Sequence, residues 1–277
     1  MRRVTVVGAS GLLGTQLVKV LAARGHEARA RTHADLDITD VDSVARALHD
    51  PGDAVVNAAA WTDVDGCARD PDRAMRINGH GAANIADAAR RAGALIVQIS
   101  TNEVFDGRLE RPYREDDLPR PINPYGVSKR FGEEAVARNP RHMIVRTAWL
   151  FTADRGFPTR IAAAAERAAA SSQPLQVVND EVGNPTPVDQ LAEAMVVLLE
   201  RQEGDGVPWQ VIHLAGQPPV SRYEWAVDVL GRTHGRVAIV PIRSDEFPRP
   251  SRVPQRAILD TRLATSLGLP SIDWRSA

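Results

Sequence analysis

The segment Gly8-Ala9-Ser10-Gly11-Leu12-Leu13-Gly14 follows directly on the β-branched run Val4 to Val7 and opens an amphipathic stretch from Leu12 to about Arg24. Glycines at that spacing, between a strand and a helix, restrict the fold more than any other segment of the chain. Gly8 can take a tight turn that other residues resist. Gly11 lets backbone N–H groups approach a ligand, and Gly14 lets helix and strand pack closely. The helix beginning there aims partial positive charge at whatever the turn holds, which suits a phosphate. A glycine triplet alone is a weak signal, and its place between the first strand and the first helix gives it weight.

The βα rhythm continues. After the first strand and helix come His26 to Arg31, a helix near Val41 to Leu48, and a short apolar run, Ala54 to Asn57. A helix from about Asp72 to Ala92, a strand Leu95 to Ile99, a helix around Tyr125 to Ala137 and a strand His142 to Arg146 follow. This alternation predicts an α/β fold, a Rossmann-type doubly wound parallel sheet with a smaller C-terminal substrate lobe. Residues 1–150 form the NAD(P)-binding Rossmann domain, joined by a return segment at about 186–216 that holds the helix Val188 to Arg201 and the strand Val211 to Leu214. Residues 151–185 and 217–277 form the substrate lobe, with helices at Ile161 to Ala170 and Tyr223 to Arg232 and a strand at Val237 to Val240. A chain of 277 residues, 43% hydrophobic, is long enough for one core with such a lobe docked on it.

Thirty-four Lys and Arg balance thirty-five Asp and Glu. No charge excess would hold the chain on nucleic acid or a membrane, and a small molecule is the expected partner. Cys67 is the only cysteine, which excludes an internal disulfide and a thiolate-rich metal cage and fits a reducing cytoplasm. The seven histidines show no ligand spacing, so no metal site is expected. The first residues enter a strand at once, unlike a signal peptide, and no segment approaches the ~20 apolar residues of a membrane span.

The second strand bears on the choice of dinucleotide. An acid at its end binds the ribose 2′-OH of NAD, whereas arginine accommodates the 2′-phosphate of NADP. Here the strand ends Ala28-Arg29-Ala30-Arg31-Thr32, without an acid, and favours NADPH with Arg31 on the cofactor. Arg29 and Arg31 read equally as exposed strand residues. Asp35 and Asp37 lie just beyond, which leaves NADH open. Ala58, Ala59 and Ala60 at the tip of the third strand leave room for a nucleotide, or are a plain buried alanine run.

Tyr125 and Lys129, in Tyr125-Gly126-Val127-Ser128-Lys129, are one helical turn apart on one face. A neighbouring ammonium is expected to favour the phenolate and lower the Tyr125 pKa, so that the phenol can protonate a carbonyl oxygen as hydride arrives at its carbon. Lys129 would also hold the nicotinamide ribose. As an isolated pair, Tyr-x-x-x-Lys is usually a surface feature. Ser100-Thr101, just after the Leu95 to Ile99 strand, adds a hydroxyl at the strand tip for the same carbonyl, where Ser and Thr otherwise serve as turn-formers.

Asp35-Leu36-Asp37-Ile38-Thr39-Asp40, Asn57 to Asp65, Ser100-Thr101-Asn102-Glu103-Val104-Phe105-Asp106-Gly107, Tyr125 to Lys129, Arg146-Thr147-Ala148-Trp149 and Val178 to Thr186 together resemble the dTDP-4-dehydrorhamnose reductase family, of the extended short-chain dehydrogenase type. The similarity runs the whole chain. It implies reduction of the 4-keto group of a dTDP-linked 6-deoxysugar with NAD(P)H, giving dTDP-L-rhamnose. It implies Tyr125 as proton donor, Lys129 as its partner and Thr101 as the carbonyl-binding hydroxyl. It places Gly11, Leu12, Leu13, Asp37, Ile38 and Ala58 to Ala60 around the cofactor, beside Gly8 and Gly14 of the turn, and Trp149 near the sugar, where a core role is the alternative. The family reads Ser-Thr-Asp-Tyr-Val-Phe, and Asn102 and Glu103 depart from it. Glu103 resembles the related 4,6-dehydratases, which eliminate water with an acidic pair, but Asn102 cannot shuttle a proton, so reduction remains the expected reaction. Asn102 and Glu103 are then candidate contacts to the sugar.

The loop Arg243 to Arg256 suits a diphosphate through its arginine forks, or is a solvated basic loop. Two other functions remain open. One is a reductase or epimerase for another nucleotide deoxysugar. The other is a non-catalytic binding subunit, as the regulatory subunit of methionine adenosyltransferase resembles this family too. A homodimer is compatible with such a fold.

Overall fold

The computed structural model describes residues 1–201, 211–233 and 237–277. Residues 202–210 of the expected return segment lie outside them. In chain order the elements are β1 (Arg3–Val7), α1 (Leu12–Ala23), β2 (Glu27–Arg31), α2 (Val41–Ala47), β3 (Ala54–Asn57), α3 (Val64–Arg69), α4 (Pro71–Ala74), α5 (Gly81–Arg91), β4 (Leu95–Thr101), α6 (Pro124–Val136) and β5 (His142–Thr147). Beyond them come β6 (Leu150–Phe151), α7 (Phe157–Ala170), β7 (Leu175–Val178), β8 (Val182–Gly183), β9 (Thr186–Pro187), α8 (Val188–Arg201), β10 (Val211–His213), β11 (Val220–Ser221), α9 (Arg222–Thr233) and β12 (Ile239–Ile242).

Six strands form one parallel sheet in the order β2-β1-β3-β4-β5-β10. Its inner strands β1, β3, β4 and β5 are buried on both faces because alternate side chains serve two cores, while the edge strand β2 is part-exposed. Val4, Val6, Val56, Val97 and Val145 face a cluster completed by Leu17 and Leu21 of α1 and Leu191, Met195 and Leu199 of α8. Val7, Val55, Ile96 and Ile144 face a second cluster with Ile85 and Ala89 of α5. The chain runs outward from β1 to β2 and then returns to β3 on the other side of β1. That reversal opens a crevice beyond the carboxyl ends of β1 and β3, where open α/β sheets bind ligands.

Three local features differ from the sequence reading. The span expected as one helix from Asp72 is interrupted by a π-helical stretch, Met75–His80, between α4 and α5. β4 runs on to Thr101 because Ser100 and Thr101 pair in register with Arg146 and Thr147, so the hydroxyl pair ends the strand rather than following it. A helix at Val64–Arg69 is present where none was expected, capped by Asp63, whose side chain accepts from Gly66 N–H at 2.9 Å.

Under α6, Glu133 and Arg146 form a buried ion pair with two hydrogen bonds of 2.9 Å, tying the helix to β5. Beyond β5, α7, α9, β7 and β12 build a smaller apolar cluster around Ile161, Leu175, Ala226 and Leu230. Among the described residues no helix is long and apolar enough to cross a membrane.

Candidate active site

The glycine turn is built as its spacing requires. Gly8 has φ +80°, and a Cβ there would lie 2.6 Å from Ala59 N. A Cβ on Gly14 would lie 2.8 Å from Ala9 Cα, so β1, the turn and α1 touch backbone to backbone. Gly11 N–H donates to the Gly8 carbonyl at 2.9 Å. As the N-cap of α1, Gly11 supplies no side-chain acceptor, so the first-turn N–H groups have no side-chain cap and open toward the crevice.

A cleft of about 570 Å³ lies over this turn. Gly8, Gly11, Asp37, Ile38, Ala58, Ala59 and Ala60 of the expected cofactor residues line it. The three alanines are half-buried at the strand tip, a ledge rather than a core run. Leu12, Leu13 and Gly14 stand behind the lining, Leu13 in the core against the sheet. Volume, an uncapped helix start and backbone packing that leaves no room for a Cβ all fit a dinucleotide diphosphate.

The arginines of β2 are used elsewhere. Arg29 pairs with Glu27 at 2.7 Å and with Asp50 at 3.3 Å, and Arg31 donates to the Ala30 carbonyl at 3.1 Å without lining the cleft. The basic groups that do line it are His33, Arg73 and Arg76. Arg73 reaches it by stacking 4.4 Å over the Trp61 ring. Nothing local in the sequence marks Arg73 or Arg76, because the π-helical stretch and the Trp61 loop meet only in the fold. Asn78 joins them, accepting from Trp61 N–H at 2.8 Å and donating to the Trp61 carbonyl at 3.0 Å and to Ser128 Oγ at 3.1 Å.

Ala58 to Trp61 line this first cleft, and Thr62 to Asp65 line a second of about 430 Å³. The two therefore meet along one loop. The second is walled by Asn102, Glu103 and Trp149, by Arg160 and Arg222 of the smaller lobe, and by Arg249. Trp149 has both of its alternative roles. It lines the cleft while its ring stacks parallel to Trp225, 5.8 Å away, and it carries the Arg222 guanidinium at 3.5 Å on its ring. Its φ of +46° is a left-handed backbone state unusual for so large a side chain, and the ring fills the space where Gly183 lacks a Cβ. Burial pushes Arg222 down to about 10, against the raising charge of Glu181. In the Arg243 to Arg256 loop the two readings divide between residues. Arg249 lines the cleft and pairs with Asp65 at 3.0 Å, whereas Arg243 pairs with Asp245 at 3.5 Å on the exposed surface.

Thr101, Tyr125 and Lys129 are all buried and line neither cleft. Asn123 caps α6 by accepting from Gly126 N–H at 2.8 Å, which starts the helix at Pro124 and turns Tyr125 and Lys129 onto its buried face. Tyr125 packs with Trp61, Val64 and Cys67 next to the loop shared by both clefts. Thr101 is near enough to act on its phenol. The Tyr125 pKa is raised, not lowered as expected from its lysine neighbour. Burial is the main cause and the charge of Glu103 the second, opposed by Thr101. Lys129 does not offset this. Its ammonium donates to the Ile99 carbonyl at 2.6 Å, and burial brings its own pKa down to about 8, with Glu133 opposing. A protonated phenol thus lies against the loop that joins the two clefts, with the buried ammonium of Lys129 one turn further along the same helix face.

A family model described as the RmlD substrate binding domain matches residues 1–277. A dTDP-4-dehydrorhamnose reductase of Mycolicibacterium smegmatis is 36% identical over 283 residues, covering 100% of this chain and 84% of that protein. The spore coat polysaccharide biosynthesis protein SpsK of Bacillus subtilis is 35% identical over 280 residues, covering 100% of this chain and 95% of SpsK. Among solved structures, a dTDP-4-dehydrorhamnose reductase from Clostridium acetobutylicum superposes with a TM-score of 0.91 at 33% identity, covering 99% of this chain and 96% of the other. One from Bacillus anthracis, in complex with NADP, superposes with a TM-score of 0.89 at 29% identity, covering 99% and 96%.

Proposed function

This chain belongs to the RmlD substrate binding domain family, and from that membership we propose that it uses NADPH to reduce the 4-keto group of dTDP-4-dehydro-L-rhamnose, giving dTDP-L-rhamnose. Residues 1–150 and about 186–216 hold the dinucleotide in this reading, and 151–185 and 217–277 close over the sugar nucleotide. The observation that carries it is the place of Tyr125, packed against Trp61 of the first cleft and Val64 of the second on a helix face shared with Lys129.

The bound NADPH supplies the hydride. The protein supplies the geometry and the proton. The Gly8 to Gly14 turn and the N-terminus of α1 would hold the diphosphate, and the small side chains of Ala58 to Ala60 would leave room for the dinucleotide beside the strand tips. Thr101 Oγ and the Tyr125 hydroxyl bracket the ketone oxygen. Tyr125 donates its proton as that oxygen gains charge, and Thr101 keeps the oxygen in line. Lys129, charged below about pH 8, supplies a positive charge one helical turn from the phenolate that Tyr125 leaves behind, and in this reading also holds the nicotinamide ribose. The smaller lobe brings Arg222 and Arg249, cations suited to the substrate diphosphate.

Two experiments test this. Purified protein mixed with NADPH and dTDP-4-dehydro-L-rhamnose is expected to consume the reduced cofactor and yield the L-rhamnosyl nucleotide; no oxidation of NADPH by any 4-keto sugar nucleotide would sink the reductase reading. NADPH is supported by the basic groups around the cleft beyond β2, of which His33 follows the strand end most closely. His33→Asp, which sets a carboxylate against the 2′-phosphate, is expected to raise KM for NADPH about tenfold while sparing NADH, the size of one added negative charge at a partly exposed site. Equal KM changes for both cofactors would remove His33 from the choice.

A further inference from the structure

Asn102 and Glu103 are where this chain leaves the Ser-Thr-Asp-Tyr-Val-Phe pattern, and the fold uses the two side chains differently. Asn102 Nδ2 donates to the Ala257 carbonyl at 3.0 Å and its Oδ1 accepts from Thr101 Oγ1 at 3.3 Å, so its amide is spent on the protein. Glu103 faces the second cleft. Its backbone is held on both sides. Its N–H donates to Thr101 Oγ1 at 3.1 Å, and its carbonyl lies against Gly126, where no Cβ would fit. The backbone of Glu103 is thus fixed between the strand end that carries Thr101 and the first turn of α6 that carries Tyr125.

One carboxyl oxygen is fixed. Glu103 Oε2 accepts from Asn123 Nδ2 at 2.6 Å. Asn123 cannot turn, because the same amide donates to the Arg252 carbonyl at 2.9 Å and its Oδ1 caps α6. Glu103 Oε1 has no hydrogen-bond partner among the described residues. Burial raises the carboxyl above the usual range, against the Asn123 bond and the charges of Arg249 and Arg222, and Oε1 is the oxygen left to meet a ligand because Oε2 already faces an N–H.

We propose that Glu103 Oε1 hydrogen-bonds the hydroxyl on the sugar carbon next to the reacting ketone, and so selects a 3-hydroxy-4-keto sugar over its 3-deoxy analogue. The proposal deepens the ketoreductase reading and rests on it for the position of the ketone. A sugar without that hydroxyl leaves Oε1 buried and unpaired, a loss of about 10- to 100-fold. Glutamine and leucine separate this role from mere packing. In Glu103→Gln the amide oxygen takes the Asn123 bond, which turns the NH₂ group toward the cleft, where it can still hydrogen-bond the oxygen of the same hydroxyl. Glu103→Leu keeps the bulk and removes the hydrogen-bonding group.

The test measures kcat/KM for dTDP-4-dehydro-L-rhamnose and its 3-deoxy analogue, together with calorimetric Kd values for the two corresponding 4-hydroxy products, in the wild type, Glu103→Gln and Glu103→Leu. The wild type is expected to prefer the hydroxylated sugar by about 10- to 100-fold, Glu103→Gln to keep most of that preference, and Glu103→Leu to lose it to within about threefold. A wild type without preference, a Glu103→Leu variant that retains it, or a Glu103→Gln variant no more selective than leucine would each overturn the assignment. If neither sugar turns over but the binding preference is present and lost only in Glu103→Leu, the reductase reading falls and the role of Glu103 stands.

Discussion

Replacing Tyr125 with phenylalanine is expected to lower kcat/KM for keto-sugar reduction about a thousandfold, within the range that a positioned proton donor contributes, while NADPH still binds. Burial and the charge of Glu103 both hold the phenol in its protonated form at neutral pH. A protonated phenol is the state a donor needs, and an alkoxide forming on the sugar is the stronger base, so transfer runs downhill without prior ionisation. Phenylalanine keeps the packing against Trp61, Val64 and Cys67 and deletes only the hydroxyl. The pH profile supplies a second readout. Lys129 is charged below about 8 and neutral above it, so the rate is expected to fall as pH rises through that value, when nothing remains to balance the phenolate. Turnover by Tyr125→Phe within tenfold of wild type would remove it as donor, and a rate flat across the alkaline range would do the same for the charge of Lys129.

The parts of this site written in contiguous residues were legible before the fold was known. A glycine triplet must sit in a turn, a Tyr-x-x-x-Lys pair must share a helix face, and a hydroxyl at a strand end must reach the sheet edge, since each is dictated by local geometry. The parts that failed to show are made through space. Arg73 lines the first cleft because it stacks on Trp61, and Arg222 the second because Trp149 supports it. The sign of the Tyr125 shift was misread for the same reason. Sequence spacing brings Lys129 within a turn of the phenol, but only the tertiary structure shows the ammonium engaged by Ile99 and the phenol buried beside Glu103. The helix at Val64–Arg69 escaped notice because its seed is a single Asp63 cap on a short, glycine-containing segment.

The largest stability effect is expected at Arg146. Arg146 and Glu133 are both almost fully buried, and replacing the arginine with methionine strands the carboxylate, at a cost of about 3–5 kcal/mol. Arg130, 3.1 Å from Glu133 and part-exposed, offsets little of this. Burial alone would raise the Glu133 pKa, but the paired Arg146 hydrogen bonds and charge hold it below the usual range. The wild-type pair therefore adds stability above the unfolded carboxylate pKa of about 4.3, and loses it as pH falls through the lower folded value. In Arg146→Met the folded pKa moves upward instead, so the penalty is fullest at neutral pH and shrinks on acidification, as the neutral acid is cheaper to bury. Denaturant titrations at neutral and mildly acidic pH measure that convergence, and a gap that stays constant with pH would mean the loss is one of packing against Phe105. The double variant Glu133→Gln with Arg146→Met should be less damaged than Arg146→Met alone, because no charge is left unpaired. Glu133 also raises the Lys129 pKa, so Glu133→Gln should move the alkaline fall in reduction to lower pH. The ion pair that anchors α6 to the sheet thereby sets how far up the pH scale the site keeps its buried ammonium.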